Sequence, residues 1–170
     1  MKLMIEPVIV EIEAPVGLVY QMLSTLGQGA TRHGERVEVR SRDAGHVVAD
    51  FWTRVPLPLG RATLVHTRES VELRPPARVD YRHLEGALRG LAECITAEPI
   101  AGQPRHTRLA YKAELPEVGL GRWLLVRLVG QPILQRAIRE HLADLKVRAE
   151  ARARRSRVFA QDIQEGQART

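Results

Sequence analysis

The stretch RVDYRHLEGALRGLAECITAEPI, Arg78 to Ile100, decides the fold of this chain. It opens by alternation: Val79, Tyr81 and His83 fall on one side and Asp80, Arg82 and Leu84 on the other, the period of a strand. Gly86 and Gly90 then stand four residues apart with an arginine between them. A glycine loop that cradles a phosphate needs a Lys-Ser/Thr step and a helix after it. Here LAECITAEP follows, a strand pattern without lysine. The two glycines therefore mark a hairpin, a bulge or a sharp bend where a side chain would clash.

Outward from this hairpin the chain continues as strands divided by turn residues. RATLVHTRESVEL (Arg61–Leu73) runs to Pro75-Pro76, and HTRLAYKAEL (His106–Leu115) is bounded by AGQPR and Pro116. RVEVRSR (Arg36–Arg42) is split from HVVADFWTRV (His46–Val55) by Asp43-Ala44-Gly45, a tight hairpin signal, and PLPLG stops the latter strand. Six strands joined by short turns predict an antiparallel meander. Before them, Val8, Val10 and Ile12 alternate with Ile9, Glu11 and Glu13 as a further strand. Ala14-Pro15 then opens a helix with Val16, Val19, Tyr20 and Leu23 on one face, Pro15 standing at an early helical position. STLGQGATRHGE ends that helix and leaves room for one more short turn.

After Gly119 the period changes. Leu120, Trp123, Leu124, Arg127, Leu128, Gln131, Leu134, Ile138, His141, Leu142, Leu145 and Ala149 trace one face of a long helix, with a kink or joint expected near Gly130 and Pro132. The predicted fold is α+β: a curved antiparallel sheet of about seven strands wrapped around the C-terminal helix, with one or two short helices after the first strand. A twisted meander presents a concave apolar face that needs a cover, and this helix is the element long enough to supply it. One domain over residues 1–155 is expected, followed by a flexible tail, 156–170.

At 170 residues the chain is large enough to bury about 70% of its unfolded surface. No run of about 18 apolar residues is present, and acids at Glu6, Glu11 and Glu13 interrupt the N-terminal apolar stretch, so neither a spanning helix nor a signal peptide is expected. The single Cys94 excludes an internal disulfide and agrees with a reducing cytoplasm. The net charge is +6, carried by 26 basic residues of which three are lysine. Arginines spread along the whole chain, as GC-rich coding alone would produce, and concentrate in KVRAEARARRSR, Lys146 to Arg157.

Three segments carry a resemblance. VIVEIEAPVGLVYQMLS resembles the opening strand and helix of the START-like, helix-grip superfamily, including its polyketide cyclase/dehydrase and lipid-transport group (SRPBCC). PPARVDYRHLEGALRGLAECITAEPIAGQPRHTRLAYKAEL is similar to that group's R-V-x-Y-x-x-x-E-G-x-L-x-G hairpin with its following E-P and T-R-L-x-Y. LQRAIREHLADLKVRAE looks like its closing helix. The likeness covers about residues 8 to 150. It implies the helix-grip fold and an interior pocket, in a superfamily that holds lipids, quinones, hormones and polyketides in one shell. Ile95 or Ala97 stands where many relatives have a tryptophan, which implies a differently shaped pocket.

Alternation turns Tyr81, His83, Glu93 and Tyr111 toward the concave face, and Trp123 and His141 lie on the helical face expected to cover it. An aliphatic pocket with phenols, an imidazole and a carboxylate suits a nonpolar ligand carrying an oxygen function. The expected function is binding, with transport as an extension, of such a molecule. A cyclase or dehydratase on the same pocket is the alternative: His83 or Glu93 as base and Tyr81 or Tyr111 as donor. A further alternative docks RNA or an anionic membrane through Arg148, Arg152, Arg154, Arg155 and Arg157. No H-E-x-x-H, C-x-x-C or G-x-S-x-G occurs, and His141 and Asp144 at i,i+3 lack a third ligand, so no metal or cofactor is expected.

Overall fold

The structure, a computed structural model, describes residues 2–26, 34–57, 61–115, 119, 121, 124 and 126–168. Seven strands form one sheet: β1 (Leu3–Ile12), β2 (Arg36–Asp43), β3 (His46–Pro56), β4 (Ala62–Arg74), β5 (Arg78–Gly86), β6 (Ala92–Ile100) and β7 (Gln103–Leu115). Their order is β1-β7-β6-β5-β4-β3-β2, every neighbour antiparallel. The meander β2 to β7 is as predicted, and β1 closes its far edge against β7. Helix α1 (Val16–Ser24) follows β1, and α2 (Gln131–Ala168) comes last. The last helix extends as far as Ala168.

Local sequence explains the turns. Ala44 and Gly45 both take positive φ, 30° and 93°, as the two central residues of a tight β-hairpin must. In β1 the pairing shifts between Ile5 and Val8, around Pro7, which has no N–H to give the ladder. Pro15 is the N-cap residue of α1 rather than a residue inside it, with φ −61° and ψ 144°.

The concave face carries the core. Val47, Val71, Val79, Ala97, Leu109 and Ile12 come from six different strands and are inaccessible to solvent. Ile138, Leu142, Leu145, Ala149 and Ala153 supply the buried stripe of α2. The helix packs against β1, β3 and α1. Its place on β1 is also fixed by polar contacts: Glu13 N–H donates to Glu150 Oε1 (3.0 Å), and Lys146 Nζ donates to the Glu11 carbonyl.

The joint expected near Gly130 and Pro132 is present, and before it the apolar face is out of phase, for Leu124 and Leu128 are 50% and 65% exposed. Residues Val126–Gly130 form a π-helical turn directly before α2. Pro132, lacking an N–H, cannot bond the carbonyl four residues back, and the wider turn rotates the preceding residues out of phase with the buried stripe.

On the convex face Asp50 is 1% exposed although it lies outside the core. Arg68, its direct cross-strand neighbour, donates from Nε at 2.8 Å, and Arg40 donates from Nε at 2.6 Å. Arg40 reaches inward because the β2–β3 pairing shifts between Val39 and Ser41, leaving it out of the ladder. The Arg68 hydrogen bond, opposed by burial and aided by Arg40, holds the Asp50 carboxyl well below the usual carboxylate range. The arginine side chains remain 35% and 53% exposed, so solvent screens the cluster. Asp50→Ala is expected to lower stability by about 1–2 kcal/mol at pH 7. The deficit is to shrink on acidification, since the contribution is complete above the ordinary value near 3.9 and disappears as pH falls through the lower folded value. Equal urea midpoints for variant and wild type at pH 7 would show that the cluster contributes nothing.

Candidate functional site

Among the described residues, an oblique polar stripe crosses the mostly apolar concave face from β4 to β7. Glu69 pairs directly with His83, Tyr81 with Glu93, and Ile95 with Tyr111. The stripe depends on a local irregularity. Between β4 and β5 the pairing shifts, Arg68 meeting Glu85 and Glu69 meeting His83, which leaves Leu84 as the extra residue. The turn that follows holds Gly86 at φ 103° and Gly90 at φ 90°, and Gly90 N–H donates to the His83 carbonyl at 2.9 Å. The two glycines therefore serve a hairpin, as their context predicted.

His83 is central to the stripe and 5% exposed. Its Nδ1 lies 3.5 Å from Glu69 Oε1 and its Nε2 3.4 Å from Glu93 Oε2. These separations bring charges together, yet neither ring nitrogen makes a hydrogen bond. Thr67 Oγ1 donates to Glu69 Oε1, and Tyr111 Oη donates to Glu93 Oε1, each at 2.6 Å. One oxygen of each carboxylate is thus held by a hydroxyl.

Burial and mutual charge set the proton affinities. Burial pushes the Glu69 carboxyl up, His83 opposes the shift and Glu93 adds to it. For His83, burial works against the imidazolium, but the Glu93 contact and then Glu69 outweigh it, and the net shift is upward. Burial, reinforced by the two carboxylates, raises both the Tyr81 and Tyr111 phenols. The tyrosines consequently keep their protons and can act as donors at neutral pH.

Of the six residues expected from the sequence, the sheet gathers four: Tyr81, His83, Glu93 and Tyr111. His141 lies on α2, where solvent reaches it, yet burial is the largest cause of its lowered pKa, with Arg148 next and Glu93 among the charges acting on it. Trp123 lies outside the described residues. Sequence reasoning missed Glu69 and Thr67, though alternation from Val71 and Leu73 in RATLVHTRESVEL already turns both inward. Along the basic segment, Arg148 pairs with Asp144 at 2.9 Å and Arg152, Arg154 and Arg155 are exposed. The Arg157 side chain is outside the described part.

A cleft of about 620 Å³ opens at one end of the sheet between Tyr20 and Leu26 of the α1 region, the Arg42–Gly45 turn, and Leu73 and Pro75. Among the described residues none of α2 lines it, so it is not the cavity expected beneath the C-terminal helix. Leu73 lies four residues beyond Glu69 on β4, roughly 13 Å away. The closest packing of α2 is on β1 and β3, which stand on either side of β4 to β7 in the sheet order. Phe51, Tyr81 and Glu93 face inward and keep partial solvent access. The polar stripe, rather than this cleft, gathers the buried titratable side chains.

No family model matches this sequence, and no curated protein matches it. Solved structures do. The Zhui aromatase/cyclase from Streptomyces sp. R1128 superposes with TM-score 0.71 at 18% identity, over 89% of this chain and 96% of that one. The di-domain ARO/CYC StfQ from the steffimycin biosynthetic pathway gives 0.64 at 17%, over 89% of this chain and 46% of that one. A START superfamily protein from Mycobacterium smegmatis gives 0.53 at 15%, over 89% and 98%. Likeness at such identities reports the fold. The chain has the START-like helix-grip fold, shared with polyketide aromatase/cyclases.

Proposed function

We propose that the chain binds a small hydrophobic molecule bearing an oxygen function, such as a lipid, a quinone or a polyketide-like aromatic, in the space between sheet and α2. The observation that carries this reading is that Phe51, Tyr81 and Glu93 face inward on the sheet and still keep solvent access, while α2 packs chiefly on β1 and β3. An apolar ligand laid there gains about 25 cal/mol per Å² buried. Its oxygen meets the stripe, where Tyr81 offers a phenol proton, Tyr111 shares its own with Glu93, and His83 has an unengaged nitrogen. Native mass spectrometry of the purified protein, with extraction of whatever apolar molecule leaves it, is the first test. One molecule per chain is expected. Glu93→Gln and Tyr111→Phe are each expected to weaken it about tenfold, the worth of one buried hydrogen bond. Ligand-free protein that also fails to bind a fluorescent fatty acid and a naphthoquinone would refute the reading.

A second reading, a cyclase or dehydratase, is favoured by the convergence of base and donor groups and by the aromatase/cyclase neighbours. His83, its basicity raised by two carboxylates, would take a proton α to a substrate carbonyl while a phenol donates to the developing oxyanion. Turnover left intact by His83→Gln would end it.

A further inference from the structure

We propose that Glu69, His83 and Glu93 form a binding site for a first-row divalent cation of the Zn²⁺ or Mn²⁺ class. The site shares side chains with the ligand reading but does not rest on it. Each residue offers one donor atom, and the three atoms lie within 4.8 Å of one another on β4, β5 and β6. Convergence of acids alone would say little. The independent observation is His83, 5% exposed with both ring nitrogens lacking a hydrogen bond, set between two carboxylates. A buried imidazole in that condition has an unmet demand, and a metal ion meets it directly.

The spacing agrees with this. Metal–donor bonds of about 2.0–2.2 Å in a tetrahedral arrangement place donors about 3.4 Å apart. His83 Nε2 and Glu93 Oε2 are 3.4 Å apart already. Glu69 Oε1 lies 3.5 Å from the other ring nitrogen, Nδ1, so its carboxylate swings toward Nε2 to join the same ion. Thr67 and Tyr111 steady one oxygen of each glutamate. Among the described residues His83 is the basic group paired with these two carboxylates, so the set carries more potential negative than positive charge. Two carboxylates with one imidazole favour Zn²⁺, Mn²⁺ or Fe²⁺ over Ca²⁺ and Mg²⁺, which prefer oxygen alone. Three protein donors leave at least one coordination position for water or a ligand oxygen.

The test uses full-length, tag-free protein stripped with chelator. Co²⁺ is titrated while its visible d–d absorption is followed, and Zn²⁺ uptake is measured by competition with a chromogenic chelator. One ion per chain is expected, with a raised melting temperature and a shift of the His83 ring nitrogen resonances in the wild type. Glu69→Gln and Glu93→Gln should each weaken binding roughly 100-fold or more, since even outer-shell changes cost 10–100-fold. His46→Gln on the convex face should leave it unchanged. Wild type that takes up neither ion, or whose His83 resonances stay still on uptake, overturns the proposal even if the glutamate variants fail to fold. Apolar-ligand binding measured in excess EDTA separates failure of this site from failure of the ligand reading.

Discussion

Gly86→Ala is expected to destabilise the protein by about 2–4 kcal/mol, the sum of backbone strain and a steric clash. Gly86 holds φ at 103°, a region that side chains resist. A Cβ there would also stand 2.7 Å from the His66 carbonyl oxygen and 3.2 Å from Thr67 Cγ2. The carbonyl belongs to β4, and Gly86 pairs with Thr67, so relief requires prying β5 from β4 at the point where Glu69 faces His83. Gly90→Ala is the matched control. Its φ is 90°, but the nearest atom to an added Cβ is Leu115 Cδ1 at 3.9 Å, so strain alone, about 1 kcal/mol, is expected. Urea unfolding of both variants isolates the clash as their difference. Equal losses would mean that β4 and β5 are less closely apposed at the turn, and the Glu69–His83 juxtaposition would lose its support. Gly86→Ala should weaken binding at the polar stripe as well, an effect that Gly90→Ala should show far less.

Leu142→Ala is expected to cost about 3–4 kcal/mol, within the range of leucine truncations that leave a cavity. Leu142 is 1% exposed at the middle of the buried stripe of α2. The helix packs against β1, β3 and α1, separate elements that cannot all close over the gap. Leu128→Ala, at a position 65% exposed, is expected to stay within about 0.5 kcal/mol of wild type. Chemical denaturation of the pair measures how far the docked face of the helix extends. A small loss at Leu142 would show that α2 is held chiefly by its polar contacts to the end of β1, through Lys146 and Glu150.

The polar stripe was partly legible. Period-two alternation is a property of the extended backbone, so Tyr81, His83, Glu93 and Tyr111 could be assigned to one face from their own strands. Glu69 obeyed the same rule and escaped notice because no local motif singled it out. The donor group of Glu69, His83 and Glu93 was illegible for a different reason. Spacing rules for metal sites detect ligands that one helix or loop brings together, whereas these three come from three strands and meet only through pairing. In the C-terminal helix the joint at Gly130 and Pro132 is legible, but the π turn there, which shifts the phase of the apolar face before it, is not.

By itself, then, the sequence determined the strands, the turns at Ala44-Gly45 and Gly86, the amphipathic last helix and the inward orientation of Tyr81, His83, Glu93 and Tyr111. These follow from steric and hydrophobic rules acting over a few residues. Tertiary structure alone decided which inward side chains touch. The unpaired Leu84 sets Glu69 opposite His83, and a one-residue slip of register would turn that glutamate's strand over and abolish the site. It also decided which strands α2 packs on, β1 and β3. Register and helix placement are fixed by contacts between residues far apart in the chain, and no local pattern encodes them.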